Sequence, residues 1–242
     1  NLAEALGISD GQETVRGAAV LDADEDGLFD LVYGNWNGPH RLFLNRGDHF
    51  VNIATPAMAA PSPIRTVIAA DFDNDGYEEI FWNQIGAPNR LFRKRDGAWV
   101  ETNIGPALEP NGLGTGGAVV DADGDGRLEL FLAHGESGAQ AMTAYRWTPN
   151  DNHYLRIRPL TRQGGPARGA TVVVVNGERS QRRVIDAGSG YLCQMEPVAH
   201  FGLGSSDQPS SITVVWPDGT RTVRQNVSAD QMVDIPYPQA TE

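Results

Sequence analysis

The sequence predicts an all-β chain: about three four-stranded units in series, followed by a small β-sandwich. Three observations carry that expectation. An acidic segment recurs three times at near-constant spacing, short β-prone runs alternate with turn residues, and the pattern changes after Trp147. In 242 residues, 28 glycines and 15 prolines favour many short strands and tight turns over long helices.

The repeat comes first. Residues 21–32 (LDADEDGLFDLV), 70–81 (ADFDNDGYEEIF) and 120–131 (VDADGDGRLELF) align without gaps, and their first aspartates, Asp22, Asp71 and Asp121, stand 49 and 50 residues apart. The first two copies also match downstream, at residues 39–45 (PHRLFLN) and 88–94 (PNRLFRK), whereas the third does not. Within the second copy, residues 66–70 form a β-prone run, the acidic loop follows, and residues 79–83 leave it. Residues 90–94 then pair with residues 99–102 across Asp96-Gly97, a hairpin turn signal. A four-stranded unit recurring at this period has the form of a β-propeller blade. Closed propellers need about 4 to 8 blades. Some three blades therefore make an incomplete array, and residues 1–150 are assigned to it.

The shared loop pattern is D-x-D-x-D-G-x-x-[DE]. Alternate side chains at positions 1, 3 and 5 of a tight loop converge on one point. The glycine at position 6 permits the reversal that brings position 9 round to join them. The candidate ligands are Asp22, Asp24, Asp26 and Asp30; Asp71, Asp73, Asp75 and Glu79; and Asp121, Asp123, Asp125 and Glu129. Leu28, Tyr77 and Arg127, at position 7, are candidates through their backbone carbonyls. Two carboxylates about 4 Å apart repel by roughly 4 kcal/mol at an effective dielectric near 20, and each loop gathers four. Hard oxygen donors without His or Cys select Ca²⁺ over zinc or copper, and a flexible shell selects it over Mg²⁺. About three Ca²⁺ ions are expected, and they would halve the formal charge of −12. A solvated acidic turn is the plain alternative for one copy; three copies in register argue against it. An EF-hand needs Glu at position 12 and flanking helices, but position 12 is Tyr33, Trp82 and Leu132 and the flanks are β-prone.

Beyond a turn or linker at residues 149–152, no acidic loop recurs. Residues 170–175 and 179–185 read as a hairpin across Asn176-Gly177, and residues 212–216 and 220–224 as another across Asp218-Gly219. With residues 154–158, 200–203 and 232–235 these make about seven strands, enough for a small sandwich over residues 151–242. Catalytic readings here are weak. Ser189 lacks one glycine of a nucleophile elbow and its strand-to-helix setting. His200 alternates with apolar neighbours as a structural histidine would. Nothing in the spacing of Asp186 and Glu196 demands an acid/base pair. Cys193, the single cysteine, excludes an internal disulfide and a cysteine zinc site and reads as a buried hydrophobe. Asn226-Val227-Ser228 matches a glycosylation sequon.

Residues 1–150 hold 22 acidic and 10 basic side chains, and residues 151–242 hold 9 of each. Acid concentrated in this way argues against nucleic acid as a partner, whose phosphates need a basic face, and fits a protein that holds cations. No apolar stretch approaches the roughly 20 residues of a membrane helix. A secretory signal is expected to be absent or already removed.

The acidic repeats resemble the FG-GAP/VCBS repeats of calcium-binding propellers. Residues 186–204 (DAGSGYLCQMEPVAHFGLG), with 214–219 (VVWPDG), resemble the ASPIC/UnbV domain. The pairing resembles the cartilage acidic protein-like family over roughly residues 12–236. That resemblance implies an extracellular, cell-surface or periplasmic calcium-binding module without enzymatic activity, in which the twelve loop carboxylates ligate calcium. Its implied role is adhesion, assembly or binding of a protein or glycan partner. The short blade array adds the expectation of self-association, or of another chain, to cover an open sheet edge. The alternative is a polysaccharide-active enzyme or a lectin with structural calcium, with Trp36, Trp82 and Trp99 available to stack on sugars if they are not core.

Overall fold

The computed structural model describes residues 1–186, 191–209 and 211–239. These residues form β-sheets, with one 3-10 turn at Gly105–Leu108. Among them no helix is long and apolar enough to cross a membrane. The first repeat folds into one antiparallel sheet of β1 (Val15–Leu21), β2 (Asp30–Asn35), β3 (Arg41–Asn45) and β4 (Phe50–Asn52). The second does the same with β5 (Ile64–Ala70), β6 (Glu79–Gln84), β7 (Arg90–Arg95) and β8 (Ala98–Thr102). Asp96 and Gly97 both take positive φ between paired Arg95 and Ala98, the two-residue turn whose twist suits a hairpin.

The third unit departs from the expected four strands. Among the described residues it has three, β9 (Gly114–Val120), β10 (Glu129–His134) and β11 (Thr143–Arg146). No turn dipeptide follows β11, and Pro149 lacks the N–H a returning strand would donate. The chain instead crosses to the second acidic loop, where the Asn150 and Asn152 side-chain amides both donate to the Asp73 carbonyl.

The first strands of the units lie side by side, β1 against β5 and β5 against β9. Gly17 permits the first of these approaches, because a Cβ there would stand 2.5 Å from the Val67 amide nitrogen. The second sheet is covered on both faces, so β6 is buried along its whole length. Its residues divide by the two-residue period of a strand. Val67, Trp82 and Phe92 join a core shared with Leu21, Val32 and Leu42 of the first unit. Ile68, Phe81 and Leu91 face the third unit's Val119, Leu130 and Leu132.

Among the described residues, the rest of the chain supplies seven strands, as the sequence predicts: β12 (His153–Leu160), β13 (Thr171–Asn176), β14 (Arg179–Val184), β15 (Ala199–Gly204), β16 (Ser211–Val215), β17 (Arg221–Gln225) and β18 (Gln231–Pro236). They form two sheets, ordered β15-β12-β18 and β14-β13-β16-β17. The sheets share a core of Leu155, Ile157, Val172, Val174, Phe201, Ile212, Val214 and Trp216. One detail differs from the sequence reading and one goes beyond it. The β13–β14 turn falls on Gly177 and Glu178, because Asn176 is already paired with Arg179, and β12 pairs with β18 in parallel.

Candidate metal centres

Each acidic loop joins the first strand of a unit to its second: β1 to β2, β5 to β6 and β9 to β10. The three share one backbone course. Position 4 is left-handed at Glu25, Asn74 and Gly124, and so is the glycine at position 6, Gly27, Gly76 and Gly126, with φ between 79° and 94° over the glycines and Gly124. A side chain at position 6 would be strained there.

The carboxylates at positions 1, 5 and 9 hold each loop through its own backbone amides. At position 1, Asp22, Asp71 and Asp121 accept the position-6 amide at 2.8 to 3.1 Å. At position 5, Asp26, Asp75 and Asp125 accept the amides of Leu28, Tyr77 and Arg127. At position 9, Asp30, Glu79 and Glu129 reach back to the amides of Ala23, Phe72 and Ala122 at 2.7 to 2.9 Å. This last bond closes the loop and brings three carboxylates together. Oxygens of Asp22, Asp24 and Asp30 lie within 4.8 Å of one another, as do those of Asp71, Asp73 and Glu79 and those of Asp121, Asp123 and Glu129. Position 5 is not in these close groups; Asp26, Asp75 and Asp125 accept the amide of position 7 on the turn that follows.

The donor set fits a hard divalent cation, and unpaired oxygens support the fit. Asp22 Oδ1, Asp24 Oδ1 and Asp71 Oδ1 are buried and accept no hydrogen bond. An unmatched buried acceptor is costly, and a cation between the carboxylates would meet it. Ca²⁺ held there would supply positive charge at the centre of each loop.

Residues 22–82 match the model of the FG-GAP-like repeat, and residues 161–242 match that of ASPIC and UnbV. Over 98% of its length the chain is 49% identical to cartilage acidic protein 1 of Mus musculus, and equally to that of Homo sapiens. The chain belongs to the cartilage acidic protein-like family. It spans about two-fifths of the length of these relatives, 39% and 38%. The first two acidic loops of this family member lie inside the matched FG-GAP-like segment; the third, at residues 121–129, lies beyond it and keeps the same hydrogen bonds.

Electrostatics separate the loops. Burial, more than repulsion from Asp26 and Asp24, raises the Asp22 pKa, and burial raises Asp30 to about 6. In the second loop, burial and then Asp75 push Asp71 up to about 8, and burial and then Asp71 carry Glu79 well above the ordinary carboxylate range. In the third loop burial pushes Asp125 up, but the Arg127 amide and guanidinium outweigh it and the pKa falls. Burial therefore dominates at Asp22, Asp30, Asp71 and Glu79, whereas the hydrogen bonds from Arg127 together outweigh it at Asp125.

Sequence reasoning missed the arginines that surround these loops. Arg93 pairs with Asp73 and lies 3.2 Å from Glu79. Arg146 pairs with Asp123 and lies 2.9 Å from Glu129. Arg46 spans Asp24 and Asp26, and Arg156 of β12 reaches Asp121 at 2.9 Å. The available signal is register: Arg146 is paired with Glu129 across the ladder, and Arg93 follows Phe92, the partner of Ile80.

Other residues named from sequence play different parts. His200 Nε2 meets Asn74 Oδ1 at 2.7 Å, and burial lowers its pKa to about 3, a structural histidine at the second loop. Asp186 and Glu196 line one cleft beneath the loops, where Glu196 pairs with Arg156. Cys193 is half-buried, and burial raises its pKa. Trp82 and Trp99 belong to the core, while Trp36 lies 4.0 Å beneath the Arg65 guanidinium. Asn226 is exposed just beyond β17. Ser189 lies outside the described residues.

Proposed function

We propose that this chain is an extracellular calcium-binding structural module whose ions rigidify the blade loops for adhesion, assembly or binding of a protein or glycan partner. The single observation that carries the reading is Asp71. Its Oδ1 is buried without a hydrogen bond, within a carboxylate group shared with Asp73 and Glu79. The proposed ligands are the twelve loop carboxylates, with the carbonyls of Leu28, Tyr77 and Arg127. Positions 1, 3 and 9 form each inner set, and position 5 approaches from the rim. Residues 1–150 act as the calcium-binding blades and residues 151–242 as the ASPIC/UnbV sandwich. The role in this reading is mechanical and not catalytic, and it is supported by the loop amides that the carboxylates at positions 1, 5 and 9 accept.

The relatives' name points to cartilage, a tissue rich in extracellular matrix, which supports an extracellular setting. Exposed Val15 and Val20 on β1 support a further covering surface, from self-association or from another chain completing the blade array. Calorimetric titration of chelator-stripped protein with Ca²⁺ tests the reading: about three sites are expected, and no heat of binding would contradict it.

A further inference from the structure

The C-terminal sandwich sits directly on all three acidic loops. Strand β15 runs along the second. Gly202 donates its amide to Asp71 Oδ2 at 3.1 Å, Gly204 donates to the Asn74 carbonyl at 2.9 Å, and His200 meets the Asn74 side chain. Arg179 of β14 donates to the carbonyls of Asp75 and Gly76 at 3.2 and 2.8 Å, and its guanidinium lies 3.5 Å from the centre of the Tyr77 ring. Arg179 also pairs with Glu25, and Arg182 donates to the Gly27 carbonyl, both in the first loop. Arg156 meets Asp121 in the third loop, and the Asn74 side chain donates to the Gly126 carbonyl at 3.0 Å. The acid excess of residues 1–150 thus meets a face of the sandwich lined by Arg156, Arg179 and Arg182.

Asp71 divides its carboxylate between two tasks. Oδ2 accepts amides from its own loop, Gly76, and from the sandwich, Gly202. Oδ1 is buried with no hydrogen bond, and the carboxylate belongs to the inner group with Asp73 and Glu79. The position of one side chain therefore sets both the inner carboxylate geometry and the seat of β15. We propose that the second loop is a calcium-dependent clasp: occupancy fixes Asp71 and Asn74 where β15 and Arg179 grip them, and loss of the ion loosens the sandwich from the blades. The sandwich does not unfold on release, because its core is drawn wholly from residues 155–235. This inference rests on the loops holding Ca²⁺ and adds that the C-terminal unit reads their occupancy. By linkage, a contact that needs the ion strengthens ion binding in return.

Hydrogen exchange on the full chain in Ca²⁺ and in chelator, run beside the calorimetric titration, tests the clasp. Chelation should speed exchange of the Gly202 and Gly204 amides about tenfold or more, while the amides of Val172–Val174 keep their rates. Arg179→Ala leaves every carboxylate in place, and it should weaken Ca²⁺ binding at one site about fivefold or more. Unchanged Gly202 and Gly204 protection after calorimetrically verified Ca²⁺ release would overturn the clasp and leave the metal sites standing. So would an unaltered Ca²⁺ affinity in R179A, or equal acceleration at Val172–Val174. No binding heat at all would overturn the metal reading and the clasp together.

Discussion

Gly202 and Asp71 stand so close that a Cβ at Gly202 would overlap Asp71 Oδ2, the oxygen its own amide bonds. Gly202→Ala should therefore push β15 off the second loop. Overpacking of this kind costs about 1–3 kcal/mol. Chemical denaturation with Ca²⁺ present should register the loss, and a wild-type midpoint would contradict the packing.

Asp71→Asn keeps the shape of the side chain and removes its charge. Calorimetry should find one Ca²⁺ site fewer. In chelator the variant should melt no lower than wild type, because burial and Asp75 already disfavour the Asp71 charge. A chelated variant far less stable than chelated wild type would mean that the ionised carboxylate itself holds the fold.

The same shifts give a pH dependence. Asp30 and Asp71 have folded pKa values of about 6 and about 8 against an ordinary value of 3.8. A carboxylate raised on folding contributes stability that is full below the unfolded value and is lost as pH rises through the folded one. Chelated protein should therefore melt lower at pH 8.5 than at pH 6.5. His40, lowered to about 4, and His200, lowered to about 3, favour folding fully above the unfolded value of 6.5, so they add little slope in that window. Saturating Ca²⁺ should abolish or invert the slope, since the loops bind it deprotonated. A melting temperature that rises with pH in chelator would contradict the assignment.

Trp82 tests the packing between the first two units. It is fully buried, 4.8 Å from Phe92 and 4.7 Å from His40 between ring centres. Trp82→Ala should cost about 3–5 kcal/mol, as large-to-small changes of buried aromatics do. A loss near zero in denaturant melts would place it outside the core.

The acidic loops were legible because their geometry is local: carboxylates two residues apart, a glycine where φ must be positive and an acid that reaches back to position 2. The paired strands around Asp96-Gly97 were legible for the same reason. What could not be read was set by distant partners. The grip of Arg179 on Asp75 and Gly76 spans more than a hundred residues, and no spacing rule links them. Position 5 looks equivalent to positions 1 and 3 in sequence, yet Asp26, Asp75 and Asp125 lie outside the close groups, each bonded to the amide two residues on. That the third unit has three strands among the described residues follows from where Asn150 and Asn152 are held, which only the folded chain reveals.

Anomalous diffraction from crystals grown in millimolar Ca²⁺ tests the central claim most directly. A peak bounded by Asp71 Oδ1, Asp73 and Glu79, with companions in the other two loops, is the predicted result. Carboxylates that stay gathered in that medium with no anomalous scatterer between them would contradict it.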